Sequence, residues 1–408
     1  MNTHKSVNQT VYNTRDLLMV FLLIATTGME YFYRSQNYIL IGCIISSYYF
    51  IKSQQKINKS FLLVILLFLI VEVFQFLMFG GFNIRTFSGT YIRLFLSFSV
   101  VAIVKLNFFK NYVKLIYWFS LISIPFYIGS FIPGIESFYT QILGNIIPQI
   151  FDRESFYQGR PNIIVFSFEE TLFTEHRNSG PFWEPGAFGI FLCIALIFNH
   201  IENRDIFTKK NIVFILCIIS TLSTSAYIVL GIFFFYINYN KFRTNLLYTI
   251  VLALLIYSSL ILYERIPFLK NKIVNNIEIA NETTTSRFGS ALADFNMFLK
   301  SPIFGFGRAG AKTGFKSEKA FDVEDHRNNG VFNLMTTYGI IITLFYFNKI
   351  LQTLKKIGIN YNLPSYYYIF SFLAIILLGF SQGIFMRTFF YSFLFLPNIF
   401  EKKILIKK

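Results

Sequence analysis

Ser60-Phe61-Leu62-Leu63-Val64-Ile65-Leu66-Leu67-Phe68-Leu69-Ile70-Val71-Glu72-Val73-Phe74-Gln75-Phe76-Leu77-Met78-Phe79 is a run of 20 residues almost unbroken by charge. As a helix rising ~1.5 Å per residue it spans about 30 Å, the thickness of a bilayer's hydrocarbon core. Blocks of this kind recur along the whole chain. The 408 residues are 54% hydrophobic, 20% aromatic and 14% charged, against about 25% charged in a soluble domain. Their mean hydropathy is +0.52. A cytosolic enzyme, a disulfide-stapled secreted domain and a disordered chain are excluded. The pattern is that of an all-α, polytopic membrane protein, read as a single integral membrane domain over residues 1–408.

Apolar runs between polar breaks give 12 candidate spans, within bounds of about 10–14, at 16–33, 37–51, 60–79, 90–108, 111–132, 186–201, 211–224, 226–240, 244–263, 329–348, 365–380 and 383–400. The pairs 211–224/226–240 and 365–380/383–400 are also compatible with single long helices or re-entrant hairpins. The first block follows Lys5 and Arg15, as a signal peptide would, but it runs through Met29-Glu30-Tyr31-Phe32 without a small-x-small cleavage site and reads as an anchor.

Charge placement orders these spans. The formal net charge is +16, yet the cations are spread between apolar blocks rather than gathered on one soluble face, which argues against a nucleic-acid partner. With the N-terminus inside, the inner connections hold 20 of the 37 Lys and Arg residues, whereas the short outer ones hold only Arg34, Arg85 and Arg387. That asymmetry places both termini in the cytoplasm. Two long outer segments remain, 133–185 and 264–328, carrying 15 of the 21 acidic residues. Loops of this length are uncommon without a function, and Phe151, Phe156, Tyr157, Ile163, Ile164, Phe295 and Phe298 give them something to pack. A folded cap on the outer face is expected, with the chemistry in it. Cys43, Cys193 and Cys217 lie inside apolar blocks without metal-ligand spacing and read as small buried hydrophobes. No metal and no cofactor are implied. Gly305-Phe306-Gly307-Arg308-Ala309-Gly310 opens no βα unit and reads as a turn.

Three constellations can carry chemistry. In Arg177-Asn178-Ser179-Gly180-Pro181-Phe182-Trp183-Glu184-Pro185-Gly186, Glu184 and Pro185 start a helix whose N-terminus points outward and favours an anion, to which Arg177 adds a guanidinium. Asp325-His326-Arg327-Asn328-Asn329-Gly330 opens a second helix of the same polarity, with an imidazole able to exchange a proton near neutral pH. Ser286-Arg287-Phe288 begins an amphipathic helix (Phe288, Leu292, Phe295, Phe298, Leu299) lying on the outer face. Each has a plainer reading as a capped helix or a snorkelling arginine. Arg93 and Arg387, within or beside spans, share that ambiguity, since intramembrane arginines usually face a cavity or a lipid phosphate.

With these motifs in this order, the chain resembles the bacterial O-antigen polymerase (Wzy-type) family, which is related to O-antigen ligases. The resemblance rests on Arg177…Gly180-x-Phe182-x-Glu184-Pro185-Gly186, on Ser286-Arg287 with Pro302-x-Phe304-Gly305-x-Gly307, and on His326-x-x-Asn329 ahead of Tyr338-Gly339-Ile340. Relatives often carry Thr-x-Ser-Arg where this chain has Ser223-Thr224-Ser225-Ala226, so no role is carried to that position.

The resemblance implies a metal-independent glycosyltransferase of the GT-C type in the bacterial inner membrane, with its active site on the periplasmic face. Such an enzyme moves the growing glycan from undecaprenyl pyrophosphate onto an incoming lipid-linked repeat unit. It also implies Arg177 and Arg287 as pyrophosphate ligands and His326 as a catalytic group at the acceptor hydroxyl, where Glu184 is a second candidate base on chemical grounds. Trp183 and Asn329 are expected to bind substrate. Expected partners are the undecaprenyl-pyrophosphate-linked oligosaccharide, membrane lipids, a chain-length regulator and a flippase. The alternatives are an O-antigen ligase and, from another class, a lipid-linked-oligosaccharide flippase or transporter. The latter usually shows two related halves, which are not evident here.

Overall fold

The computed structural model describes residues 13–33, 35–80, 83–143, 163–168, 176–244, 287–308 and 329–400. Within these residues the chain is helical: α1 (Thr14–Gly28), α2 (Glu30–Tyr33), α3 (Gln36–Lys52), α4 (Lys59–Phe79), α5 (Ile84–Val104), α6 (Asn107–Gly129), α7 (Pro133–Ser137), α8 (Pro185–Glu202), α9 (Lys209–Ser220), α10 (Thr224–Thr244), α11 (Arg287–Lys300), α12 (Gly330–Asn360), α13 (Tyr367–Ser381) and α14 (Thr388–Tyr391). Many starts are written locally. Asn13, Ser35, Asn58, Asn83, Thr208 and Asn329 sit in extended conformation ahead of their helices and accept a first-turn N–H with their side chains, each worth ~1 kcal/mol.

Five of the described helices, α4, α5, α6, α8 and α12, are long and apolar enough to cross a bilayer, and α13 is a shorter apolar helix. They divide by burial. In α4 only 28% of the most apolar window is buried, in α8 94%. The uniformly apolar α4 therefore turns most of its surface outward, as a lipid-facing helix does. In contrast, α8 is wrapped by α6, α9, α10 and α13 and forms the centre of the bundle. The expected spans 16–33, 37–51, 211–224 and 226–240 appear as the shorter or less apolar helices α1 with α2, α3, α9 and α10. Of the expected span 244–263, all but Thr244, the last residue of α10, lies outside the described residues.

The last expected span, 383–400, is not a continuous helix. After α13 the chain turns at Gln382–Met386, forms the four-residue α14, and finishes in short 3-10 turns at Ser392–Leu394 and Leu396–Phe400. Residues 388–396 are buried throughout. Irregular backbone is tolerated at membrane depth only where protein satisfies it, and here neighbouring side chains do so. Ser97 donates to the Thr388 carbonyl at 2.6 Å, Tyr346 to those of Phe385 and Phe390 at 3.0 and 2.6 Å, and Thr353 to that of Phe393 at 3.3 Å. The Phe389 N–H donates to Thr27 Oγ1 at 2.6 Å. The segment's apolarity belongs to the protein core.

A second interruption lies inside α12, where Gly339 (φ 71°, ψ −177°) leaves the helix. The loop Ser301–Arg308 fills the break. The Ile340 N–H donates to the Pro302 carbonyl at 2.8 Å and the Phe306 N–H to that of Thr336 at 2.9 Å. From α4, the buried Gln75 donates through one amide nitrogen to the carbonyls of Phe304 (2.5 Å) and Thr337 (2.8 Å).

The two ends of the bundle differ. At one, Arg15 is held by Asp16, which also accepts from Asn107. Lys110 pairs with Glu202 at 3.3 Å, and Arg204 donates to the Tyr361 and Asn362 carbonyls. These are cations that the charge alternation assigns to the inner side. At the other end lie the C-terminus of α1 and the N-termini of α5, α8 and α12.

Of the first long loop, Ile163, Phe166 and Phe168 form a small core against Phe126, Tyr127 and Tyr139. Ile164 has positive φ, and Phe151, Phe156 and Tyr157 lie outside the described residues. In α11 the buried face is Ala291, Asp294, Met297 and Phe298, whereas Leu292, Phe295 and Leu299 stay exposed. The helix thus docks on α12, where Thr336 donates to the Asp294 carbonyl at 2.6 Å, and keeps an apolar ridge outward.

Candidate active site

The segment His176–Glu184 reaches this second end in two steps. First, it closes α9. Arg177 Nε donates to the Thr221 carbonyl at 3.1 Å, the Asn178 N–H to that of Ser220 at 3.0 Å, and Asn178 Nδ2 to Ser220 Oγ at 3.0 Å. These donors satisfy carbonyls that a helix C-terminus leaves open, and the arginine also matches the helix dipole.

Second, the segment turns at Gly180 (φ 50°), whose N–H is taken by Asn178 Oδ1 at 3.0 Å, and lies against the end of α1. Met29 and Phe182 form an antiparallel bridge, the described residues' isolated piece of extended pairing. Gly28 permits that approach: a Cβ there would meet the Phe182 and Phe191 rings at 2.9 Å.

Trp183 and Glu184 are thereby delivered to Arg387. The guanidinium carbon lies 4.0 Å from the Trp183 ring centroid and 4.8 Å from that of Tyr33, a cation set against two neighbouring aromatic rings whose own centroids are 5.3 Å apart. Its Nη1 donates to the Thr27 carbonyl at 2.9 Å and its Nε to that of Gly383 at 3.2 Å. Glu184 is the extended N-cap residue of α8 with Pro185 at the first helical position, as expected. Its carboxylate accepts from Gln382 Nε2 rather than capping its own helix. Gln382 also abuts the start of α12, because a Cβ on Gly330 would lie 2.3 Å from the Gln382 carbonyl oxygen. The structure therefore gathers Trp183, Glu184 and Asn329 around the turn at Gln382. Asn329 is fully buried and its Oδ1 caps Phe332 N–H at 3.0 Å, while its Nδ2 has no partner among the described residues.

The other predicted residues are distributed differently. Arg177 is on the cap of α9. Arg287 is the first residue of α11. His326 lies outside the described residues, three positions before Asn329.

Alongside this cluster runs a second set, of which the sequence marked Arg93 and Arg387 as intramembrane arginines without assigning them a role. Thr90, Arg93 and Ser97 follow one face of α5 at helical spacing. Thr90 Oγ1 receives Arg308 Nη1 at 3.4 Å, and Ser97 holds the carbonyl of Thr388, the neighbour of Arg387. Arg93, Arg308 and Arg387 thus form a row, each within electrostatic reach of the others. Arg308 owes its place to the loop in the α12 break: it follows Gly307 (φ 74°), where a Cβ would strike Gln75 Oε1 at 2.8 Å. The row's surroundings are polar but largely neutral. Tyr338 and Tyr391 are buried there, each meeting Phe68 edge-on, and Tyr91 donates to Glu72 at 2.7 Å. Burial works to discharge Arg308, but Tyr391, Tyr338 and Glu72 oppose it and its guanidinium is held above the usual value. Among the described residues no carboxylate lies within 4.0 Å of any of the three guanidinium groups. Glu72 faces Arg308, and Glu184 and Glu30 face Arg387, at longer range.

Three cations drawn together inside a bundle repel by an amount that grows as the dielectric falls. A ligand with two or more negative charges relieves that repulsion and can use guanidinium donors bidentately. The signal for the row was present in sequence as the cost of Arg93 inside an apolar run. Arg308 gave none, reading as a turn residue after Gly305-Phe306-Gly307. The described residues hold no cluster of three or more His, Cys, Asp or Glu able to bind a metal.

Compared with known proteins, residues 211–347 match the family model described as O-antigen ligase. The match covers about a third of the chain and is consistent with a relationship to the O-antigen polymerases and ligases. The matched region runs from α9 through α11 and the Ser301–Arg308 loop to the first half of α12, so it includes Arg308 and Gly339. No curated protein matches the chain.

Proposed function

We propose that this protein polymerises a bacterial surface polysaccharide, moving the growing glycan from undecaprenyl pyrophosphate to an incoming lipid-linked repeat unit at the periplasmic side of the inner membrane. The observation that carries this reading is the row Arg93, Arg308 and Arg387, half-buried and, among the described residues, without a close carboxylate, at the end of the bundle where Trp183, Glu184 and Asn329 meet.

Breaking the anomeric C–O bond leaves negative charge on the departing pyrophosphate and positive charge on the sugar. Pre-organised guanidinium groups stabilise the former by roughly 2–4 kcal/mol per lost donor. In this proposal the row receives the diphosphate, with Arg177 and Arg287 completing the clamp from the cap. Glu184 or His326 takes the proton of the acceptor hydroxyl, a contribution of ~10²–10⁴-fold. Trp183 offers an aromatic face to a sugar ring, and Asn329 a polar contact. The chemistry is that of a GT-C-type glycosyltransferase working without a metal, in company with a flippase and a chain-length regulator.

A ligase reading, with the same leaving group and lipid A–core as acceptor, is favoured by the description of the matching family. Gene deletion with gel analysis of lipopolysaccharide separates the two. Core carrying one repeat supports the polymerase. Bare core with polymer still on the lipid carrier supports the ligase. Loss of both products from the periplasm would overturn both in favour of a flippase.

A further inference from the structure

At the end of the bundle opposite the arginine row, the start of α1 and the ends of α3 and α5 enclose a cavity of about 530 Å³ lined by Arg15, Tyr49, Lys52, Ser53, Gln55, Ile103 and Lys105. We propose that this cavity is a binding site for the headgroup of an anionic phospholipid.

The charge in the cavity does not cancel. Arg15 is neutralised and fixed: its Nε and Nη2 donate to Asp16 Oδ1 at 3.0 and 2.8 Å, and Nη1 donates to Ser53 Oγ at 3.1 Å. Asp16 is itself buried and braced by Asn107 Nδ2 at 3.2 Å. Lys52 and Lys105 have no carboxylate within 4.0 Å among the described residues, so the lining keeps two positive charges in excess. A phosphodiester placed between the two ammonium groups would also find the Ser53 hydroxyl and the Gln55 amide on the cavity wall.

Shape favours a lipid over a free anion. Tyr49 and Ile103 give the cavity an apolar side. Along α3 the exposed side chains Ile44, Tyr48 and Ile51 (68%, 57% and 74% exposed) lead away from it toward the bilayer, a track for acyl chains. Basic recesses between helices on the side rich in Lys and Arg are where anionic headgroups are held. The chain turns sharply on the cavity wall: Gln54 (φ 49°) follows the C-cap of α3 and Lys105 (φ 53°) is the C-cap of α5, so both helix ends stop at the cavity.

The test is native mass spectrometry of the full chain purified in detergent and offered phosphatidylglycerol or phosphatidylcholine. The wild type should retain phosphatidylglycerol preferentially. Lys52→Gln with Lys105→Asn should reduce that preference at least tenfold, since each cation near an anionic headgroup is worth about fivefold. A melting temperature close to the wild type's would show that the double variant keeps its fold, and Lys52→Gln alone should give an intermediate loss. Equal retention of the two lipids by the wild type, or an unchanged preference in the double variant, would overturn the proposal. So would thermal stabilisation by inorganic phosphate alone equal to that given by phosphatidylglycerol, which would indicate a simple phosphate site.

Discussion

Replacing Gly339 by alanine should disconnect the Ser301–Arg308 loop from α12. The residue sits at φ 71°, ψ −177°, a region that is essentially glycine-only and costs a side-chain-bearing residue roughly 1–3 kcal/mol. The new Cβ would lie 2.1 Å from the Ile303 carbonyl oxygen and 2.7 Å from the Phe304 carbonyl carbon. Both are backbone atoms, so the loop has to move. Moving it breaks the Ile340–Pro302 and Phe306–Thr336 hydrogen bonds, at about 0.5–1.5 kcal/mol each, and draws the Phe304 carbonyl from Gln75. The total, about 2–6 kcal/mol, falls on a short loop rather than on the whole bundle. The expected result is local undocking with α12 still in place. Hydrogen exchange read on peptides covering 301–308 and 336–341 should show amide protection at Phe306 and Ile340 falling at least 30-fold, with little change in α8. Polymer should fall with it, because Arg308 is carried on that loop. Wild-type protection in the alanine variant would refute the idea that the glycine is required by close approach of the two backbones. Lost protection with an undiminished ladder would refute the role given to Arg308.

Two further outcomes test the site. Arg387→Lys keeps the charge but cannot lay a planar cation against Trp183 and Tyr33 while donating to the Thr27 and Gly383 carbonyls at once. It should lower polymer yield by at least tenfold at unchanged membrane abundance, and a normal ladder would show that charge alone suffices. Arg177→Ala should abolish polymer if this residue clamps pyrophosphate. A normal ladder accompanied only by a lowered unfolding temperature, about 1 kcal/mol of lost capping on α9, would reduce it to the structural contact seen at Thr221.

Much of the architecture was legible because it depends on local quantities. Asparagine, serine and threonine caps, the Glu184–Pro185 helix start and the apolar lengths of α4, α5, α6 and α8 are properties of short windows, and short windows suffice to read them. The reading of 383–400 as a span failed because hydropathy measures the aversion of a segment for water. It does not say whether lipid or protein provides the shelter. Phe389, Phe390, Tyr391 and Phe393 are as apolar as the lipid-facing Leu62, Leu66 and Leu77, yet they are buried and their backbone is served by Ser97, Thr27 and Tyr346. The site was legible in part. Trp183, Glu184 and Asn329 do converge, but through Gln382, a residue that no spacing rule marks.

From its residues alone this chain was bound to be a many-helix protein with apolar spans, basic connections and polar helix starts at definite positions, because those features follow from hydrophobic length, local hydrogen bonding and charge. Which arginines lie within reach of one another was decided by tertiary structure. Arg93, Arg308 and Arg387 come from three distant parts of the chain, and they meet only because α12 breaks at Gly339, a loop seals the break, and the terminal segment threads the bundle. Such meetings depend on how helices pack against one another, and a one-dimensional pattern carries no term for that.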